Sequence, residues 1–315
     1  MKSEIRFIIT LLFLFIASST QASETNAGFF LPDHITEVKL KFQSIQNLIV
    51  LPVIINDSIR VNLILDTGCR NLVLFGKKFQ ALFQTEPDKK VMFSGLGEGD
   101  PINGKLSLNN KVSIEAVLGE KIPVIIVPEQ NLFSAYKDVH GVIGYDIFIK
   151  FEIELDPVRH IITFRPALSS ELSLEYEKIP LVIEDSRPLI KSQVFFDDSE
   201  TVLCDLMLDT GSSLGLLMKT TDLKKFPKGN FKRILGRGFN GNVMGIETAA
   251  SKLMLDTFEI SEITAGITHS AWHNYASVGM EVMKDYTIVL NYCKAYAGFK
   301  KNDMNGITPS SQRSF

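Results

Sequence analysis

The stretch LILDTG at residues 63–68 returns as LMLDTG at residues 206–211, so the chain carries the same apolar-Asp-Thr-Gly segment twice. In each copy an aspartate, Asp66 or Asp209, closes a hydrophobic run, and a glycine two residues later lets the backbone turn. A carboxylate at the end of an apolar strand costs free energy unless another group interacts with it. The repeat therefore predicts two halves that each present one aspartate.

The segments around the two motifs also repeat. Upstream of each motif, an apolar run, a polar turn and a second apolar run follow one another, at residues 49–65 and 189–208. Downstream, VIGYDIF at residues 142–148 corresponds to VGMEVM at residues 278–283, and a strand-like run follows each of them. A duplication with so long a period is typical of two lobes and not of a solenoid.

The order of these motifs resembles the aspartic proteases. Each half resembles a retropepsin-like lobe, with hydrophobic residues before Asp-Thr-Gly, a Gly-rich hairpin, and a hydrophobic-hydrophobic-Gly segment. Two such lobes in one chain resemble the pepsin-like arrangement, over roughly residues 35 to 300. The resemblance implies two β lobes with the active site at their interface and with Asp66 and Asp209 as the catalytic dyad.

The same resemblance implies supporting roles for the residues next to the aspartates. Thr67 and Thr210 would hydrogen-bond to the opposite loop. Gly68 and Gly211 would let backbone N–H groups approach the carboxylates.

The residue after each motif differs between the halves, with Cys69 in the first and Ser212 in the second. The family commonly has Ser, Thr or Ala at this place. A hydroxyl is a better donor than a thiol, so we expect Ser212 to stabilise Asp209 in its ionised form. The Cys69 thiol would then lie near the Asp66 carboxylate as a weak donor. The other interpretation is that Cys69 is a small buried apolar residue.

Each half also contains a Gly-rich stretch, FSGLGEGDPING at residues 93–104 and LGRGFNGN at residues 235–242. Both predict hairpin tips, where glycine adopts backbone conformations that other residues avoid. By resemblance these hairpins are flaps that close over a bound peptide; surface hairpins without a ligand role are the alternative. The candidate flap glycines are Gly95, Gly97, Gly99, Gly236, Gly238 and Gly241.

Most of the chain alternates with period two, which predicts an all-β protein, mainly β with a few short helices. The best helix signals follow Gly144 and Gly279. We expect an N-terminal lobe over residues 35–167, a C-terminal lobe over residues 175–300 and a disordered tail over residues 301–315.

The N-terminus has the pattern of a secretory signal peptide over residues 1–22. Lys2 and Arg6 precede an apolar run at residues 7–16, and small residues lead to a cleavage site after Ala22. This predicts a bacterial-type exported protein, secreted or periplasmic, without stable membrane insertion after cleavage. A retained anchor remains the alternative.

The net charge limits the classes of binding partner, and the cysteine content leaves the possibility of one disulfide open. A net charge of −3 gives no electrostatic case for nucleic acid. Among the three cysteines, Cys204 and Cys293 would either pair or stay free. We expect a monomer that acts on a peptide or protein substrate and needs no cofactor.

These observations together favour an aspartic endopeptidase. Two carboxylates in contact cannot both ionise easily, so one stays a base that activates water while the other, protonated, acts as an acid. One rival is a catalytically silent module that binds peptide in the same cleft, and another is a site built between two chains.

A lesser alternative is a serine hydrolase. The segment GSSLG at residues 211–215 matches a nucleophile elbow with Ser213 as the nucleophile and His269 or His273 downstream. That site requires a parallel sheet with long crossover helices. The two histidines are also spaced like metal ligands, but without a third ligand they predict no metal site.

Overall fold

A computed structural model describes residues 27–93, 95–128, 136, 138–196, 200–221, 233–269 and 275–302. The predicted signal peptide and nearly all of the predicted tail lie outside these residues. The described residues of the N-terminal half form strands β1 Gly28–Phe30, β2 Val38–Lys41, β3 Gln43–Ile45, β4 Leu48–Ile55, β5 Ile59–Leu65, β6 Leu72–Phe75, β7 Lys90–Phe93, β8 Ile102–Ile114, β9 Val117–Val127, β10 Gly141–Ile143, β11 Phe151–Asp156 and β12 Ile161–Pro166. Two short helices, α1 Lys77–Gln80 and α2 Tyr145–Phe148, belong to the same half.

The described residues of the C-terminal half form a series of elements that corresponds to that of the N-terminal half. Its strands are β13 Glu177–Pro180, β14 Val182–Glu184, β15 Arg187–Phe196, β16 Glu200–Leu208, β17 Leu216–Thr220, β18 Arg233–Gly238, β19 Gly241–Leu255, β20 Phe258–His269, β21 Ala276–Val278, β22 Tyr286–Asn291 and β23 Tyr296–Lys301. One short helix, α3 Met280–Met283, follows β21.

Each lobe is built on its own sheet, and the two sheets share one design. In the first lobe the order is β1-β9-β6-β10-β5-β4-β8-β7, with β3 added beside β4; in the second it is β14-β15-β16-β21-β17-β20-β19-β18. Strand β5 runs parallel to β10, and β16 runs parallel to β21. The main-chain N–H groups of Asp66 and Asp209 donate to Ile143 O and Val278 O, both at 2.9 Å. The hydrophobic-Gly segments therefore hold the two aspartates at equivalent places.

A third sheet joins the halves. Its order is β13-β23-β22-β11-β12-β2, so three strands come from each half. At its centre β11 pairs antiparallel with β22, with Ile153 opposite Leu290. The strands themselves follow from the sequence pattern, whereas their pairing with each other is a finding of the structure.

Strand β6, which follows the first motif, is buried on both faces. Leu72 and Leu74 of β6 point into the main hydrophobic core, which extends through both lobes and the joining sheet. Val73 and Phe75 point the other way, into a smaller group that we call the second apolar cluster. Its buried members are Leu48, Val50, Ile64, Val73, Phe75, Ile102, Ile125, Val127, Val139 and Val142.

The predicted fold class is confirmed. The protein is mainly β with two lobes, and the predicted helices after Gly144 and Gly279 are α2 and α3. This architecture contradicts the serine-hydrolase alternative, because the described strands are arranged in β lobes without the long crossover helices that a nucleophile elbow requires. Within the described ranges, no helix has the length and apolar character needed to span a membrane.

Candidate active site

The two aspartates of the repeated motifs lie close together within one chain. Asp66 follows the last residue of β5 and Asp209 follows the last residue of β16. A Cβ atom added to Gly68 would lie 3.1 Å from Asp66 Oδ1 and 3.4 Å from Asp209 Oδ1, so one carbon would touch both carboxylates. At Gly211 an added Cβ would overlap the Asp66 carboxyl carbon at 2.3 Å. Glycine is therefore required at residue 211 for the carboxylates to approach, whereas a side chain at residue 68 would only crowd them.

Reciprocal hydrogen bonds between the two threonines lock the motif loops together. The Thr67 N–H donates to Thr210 Oγ1 at 3.1 Å, and the Thr210 N–H donates to Thr67 Oγ1 at 3.0 Å. Each hydroxyl in turn donates to the opposite strand end: Thr67 to Leu208 O at 2.5 Å and Thr210 to Leu65 O at 2.7 Å. The predicted cross-loop contacts of Thr67 and Thr210 are present in full.

Burial and charge give the two carboxylates different proton affinities. Burial first, and then the charge of Asp209, raise the pKa of Asp66 to about 7, although the Gly68 N–H donates to Asp66 Oδ1 at 2.7 Å. Burial also raises the pKa of Asp209, but the nearby positive charge of Lys219 opposes this, as does the Gly211 N–H at 3.1 Å. Below about pH 7 the arrangement favours a proton on Asp66, while the charge of Lys219 favours the ionised form of Asp209.

The expected contrast between Cys69 and Ser212 does not act through their side chains. The Ser212 hydroxyl accepts a hydrogen bond from the Leu214 N–H at 3.3 Å, while the main-chain N–H of Ser212 interacts with Asp209. The Cys69 thiol donates to Asn71 O at 3.3 Å and packs against the second apolar cluster. Burial and the charge of Asp66 raise its pKa well above the usual range. The largest influence that lowers the pKa of Asp209 is the charge of Lys219, and neither of these two side chains contributes to it.

The tips of the two Gly-rich hairpins touch each other. The side-chain oxygen of Asn240 accepts from the Gly97 N–H at 2.8 Å, and its amide nitrogen donates to Gly97 O and Gly99 O, both at 2.8 Å. The Gly99 N–H donates to Asn240 O at 2.8 Å. A Cβ atom at Gly97 or Gly99 would overlap the backbone of the other hairpin, so the close approach depends on these glycines.

The other flap candidates lie around the same contact. Gly95 and Gly238 would each contact the opposite hairpin through an added Cβ, and Gly241 has the positive φ of a tight turn at 117°. Gly236 lies further back, inside β18, where an added Cβ would meet Leu214. Beside the tips, Phe239 packs on Phe75 of the other lobe with ring centroids 5.5 Å apart.

Basic side chains surround the carboxylate pair on the side of the C-terminal lobe. Lys219 lies in β17 with its Nζ atom 4.5 Å from the centre of the Tyr275 ring. Arg187 begins β15, and its positive charge lowers the pKa of both Asp66 and Asp209. Neither residue was among the site residues predicted from the sequence. A lysine within the apolar run LLMKT was the available signal for Lys219.

The remaining candidates are the cysteines of a possible disulfide, Ser213 and two histidines. All three cysteines are free, so Cys204 and Cys293 do not pair. Ser213 is partly buried in the loop after Asp209, and His269 ends β20. His273 lies outside the described part of the chain.

Comparison with solved structures finds a match to the aspartic proteinase from Irpex lacteus, with a TM-score of 0.57 and 13% sequence identity. The alignment covers 86% of this chain and 99% of that chain. No protein-family model and no curated protein matches the chain. At this identity the likeness concerns the fold, so the chain has the two-lobed β architecture of a pepsin-like aspartic proteinase.

Proposed function

We propose that the chain is an aspartic endopeptidase that hydrolyses peptide bonds through a water molecule held between Asp66 and Asp209. The observation that carries this proposal is the close approach of the two carboxylates across loops that Thr67 and Thr210 lock together. Such a scaffold serves a pair that must stay in contact despite mutual repulsion and desolvation.

The unequal proton affinities assign the two roles. Asp209, as the carboxylate, takes a proton from the water, and Asp66, as the carboxylic acid, donates its proton to the carbonyl oxygen of the substrate as that carbon becomes tetrahedral. The proton on Asp66 follows from burial beside a second negative charge. The water attacks directly, so no covalent intermediate with the protein forms.

The substrate would be an extended peptide between the carboxylates and the hairpin tips. Hydrogen bonds from strand and hairpin backbone groups suit a β-like peptide conformation. Both aspartates come from one chain, so we propose that a monomer suffices, with lobes over residues 35–167 and 175–300. We also propose that residues 1–22 direct export, which would place the activity in the periplasm or outside the cell.

Asn substitutions test the proposal, because Asn neither ionises nor donates a carboxyl proton. Asp66→Asn and Asp209→Asn should each reduce cleavage of a fluorogenic peptide library by roughly a thousandfold or more. The matched control is Asp205→Asn, because Asp205 lies on the same strand as the second motif and pairs with Lys191 at the surface. The control should retain the wild-type rate. Near-wild-type cleavage by either motif variant would overturn the proposal, and a wild-type protein that binds peptides without cleaving them would support the silent binding module.

The pH dependence of activity and of stability provides a second test of the Asp66 and Asp209 pair. Because Asp66 must hold a proton, activity should fall as the pH rises through about 7. The raised pKa also means that the folded state binds this proton more tightly than the unfolded state. The contribution of Asp66 to the free energy of unfolding is then fully present below the ordinary carboxyl pKa and is lost as the pH rises through about 7. Asp66→Asn should remove this decrease, as urea unfolding at several pH values would measure.

A further inference from the structure

Lys219 is a nearly buried cation close to the carboxylate pair. It is 6% exposed, in the strand that follows the Asp209 loop. Its ammonium lies over the Tyr275 ring, and within the described part of the chain it has no carboxylate at ion-pair distance. The charge of Asp209 acts on this ammonium from beyond ion-pair distance and only partly offsets the cost of burial. A negatively charged ligand in contact with the ammonium would offset more of that cost.

Comparison of equivalent strands in the two lobes shows which part of the molecule Lys219 faces. Leu216 and Met218 point into the main core, so Leu217 and Lys219 point to the opposite face of β17. In the N-terminal lobe the equivalent strand is β6, where Phe75 lies on that opposite face and packs on Phe239 from the tip of the other hairpin. Lys219 therefore occupies, in the second lobe, the place that faces the hairpins in the first.

A second cation acts on the same space. Arg187 binds Asp185 through a short hydrogen bond, and Arg70 of the N-terminal lobe also binds Asp185, at 3.0 Å. One carboxylate thus binds two guanidinium groups. The charge of Arg187 acts on Asp66, Asp209 and Lys219, so it lies near all three.

We propose that Lys219 and Arg187 form a cationic subsite beside Asp209 that accepts an acidic side chain of the peptide substrate. This inference rests on the proposed endopeptidase function and names the substrate class for the same site. Lys219 supplies a partly desolvated ammonium, so a Glu or Asp carboxylate gains a hydrogen-bonded ion pair that an amide does not match. Burial lowers the pKa of Lys219 to about 8, and the ammonium is therefore charged below pH 7, where Asp66 holds its proton.

Peptide pairs that differ only by Glu or Gln test the subsite. Each of the three positions on either side of the cleaved bond is varied in turn, and kcat/KM is measured for each pair. The wild-type enzyme should prefer Glu by roughly tenfold or more at one position. Lys219→Met should lower this ratio toward one, and Lys219→Glu should reverse it into a preference for the Gln peptide at that position.

The control is Lys252→Met, because Lys252 has the same 4.5 Å contact with an aromatic ring, that of Phe195, away from the motif loops. It should keep the wild-type Glu preference. If Lys219→Met does not fold, Lys219→Arg should keep the preference and Arg187→Met should reduce it. Cleavage of Glu and Gln peptides at equal rates, or an unchanged preference in Lys219→Met, would overturn the subsite. Failure to cleave any peptide would instead count against the endopeptidase function itself.

Discussion

The threonine lock between the lobes can be tested by replacing Thr67 with valine, which has the same shape but no hydroxyl. Thr67 is fully buried, at 0% exposure. Its hydroxyl accepts from the Thr210 N–H and donates to Leu208 O. In Thr67→Val both groups stay buried without these partners, and each such loss costs about 1–3 kcal/mol. We therefore expect the free energy of unfolding to fall by about 2–6 kcal/mol, together with loss of peptide cleavage.

Thr163→Val is the matched control for this experiment. Thr163 is also buried, at 1% exposure, but its hydroxyl has no hydrogen-bond partner among the described residues. The same replacement there removes an unsatisfied polar group, so stability should stay the same or rise. Urea unfolding of both variants and of Thr67→Ser, which keeps the hydroxyl, measures the difference. Equal losses in Thr67→Val and Thr163→Val would refute the lock.

Two further predictions concern the thiol and the hairpin tips. Iodoacetamide should label Cys293, which is exposed, well before Cys69, whose pKa is raised by burial, and mass spectrometry of the timed reaction would show the order. Faster labelling of Cys69 would contradict its burial. Asn240→Ala should accelerate hydrogen exchange at the Gly97 amide, because the side-chain oxygen of Asn240 accepts that N–H. Asn242→Ala should leave the exchange unchanged, since Asn242 contacts the other hairpin through its main-chain oxygen; equal exchange in both variants would argue against the contact.

Much of the fold followed from local patterns in the sequence. The apolar alternation, the turn residues and the glycines each constrain a few neighbouring residues, and these were sufficient for the strands, for α2 and α3 and for the lobe repeat. The pairing of β11 with β22 was not predictable in this way. Alternation specifies which side of a strand is apolar, but it does not specify which distant strand is the partner.

The candidate site likewise contains residues that a local motif predicted and one residue that no local pattern indicated. A short motif was sufficient to identify the two aspartates and the two threonines from the sequence. The structure brings these four residues together, namely Asp66, Asp209, Thr67 and Thr210. Lys219 was not found, because a lysine near a strand end usually reaches solvent along its apolar stem. Only the packing of β17 against Tyr275 shows that this side chain is buried.

The sheet that joins the lobes determines which strand edges each half of the chain would expose if the halves were separated. Separation of the halves would leave β11 on one piece and β22 on the other, each with an unpaired row of N–H and C=O groups. The simplest way to satisfy such an edge is to pair it with the same strand of a second copy, around a twofold axis. Each half alone could therefore form a homodimer. Because one chain joins the two lobes, they stay paired even though equivalent positions carry different residues, such as Phe75 in one lobe and Lys219 in the other.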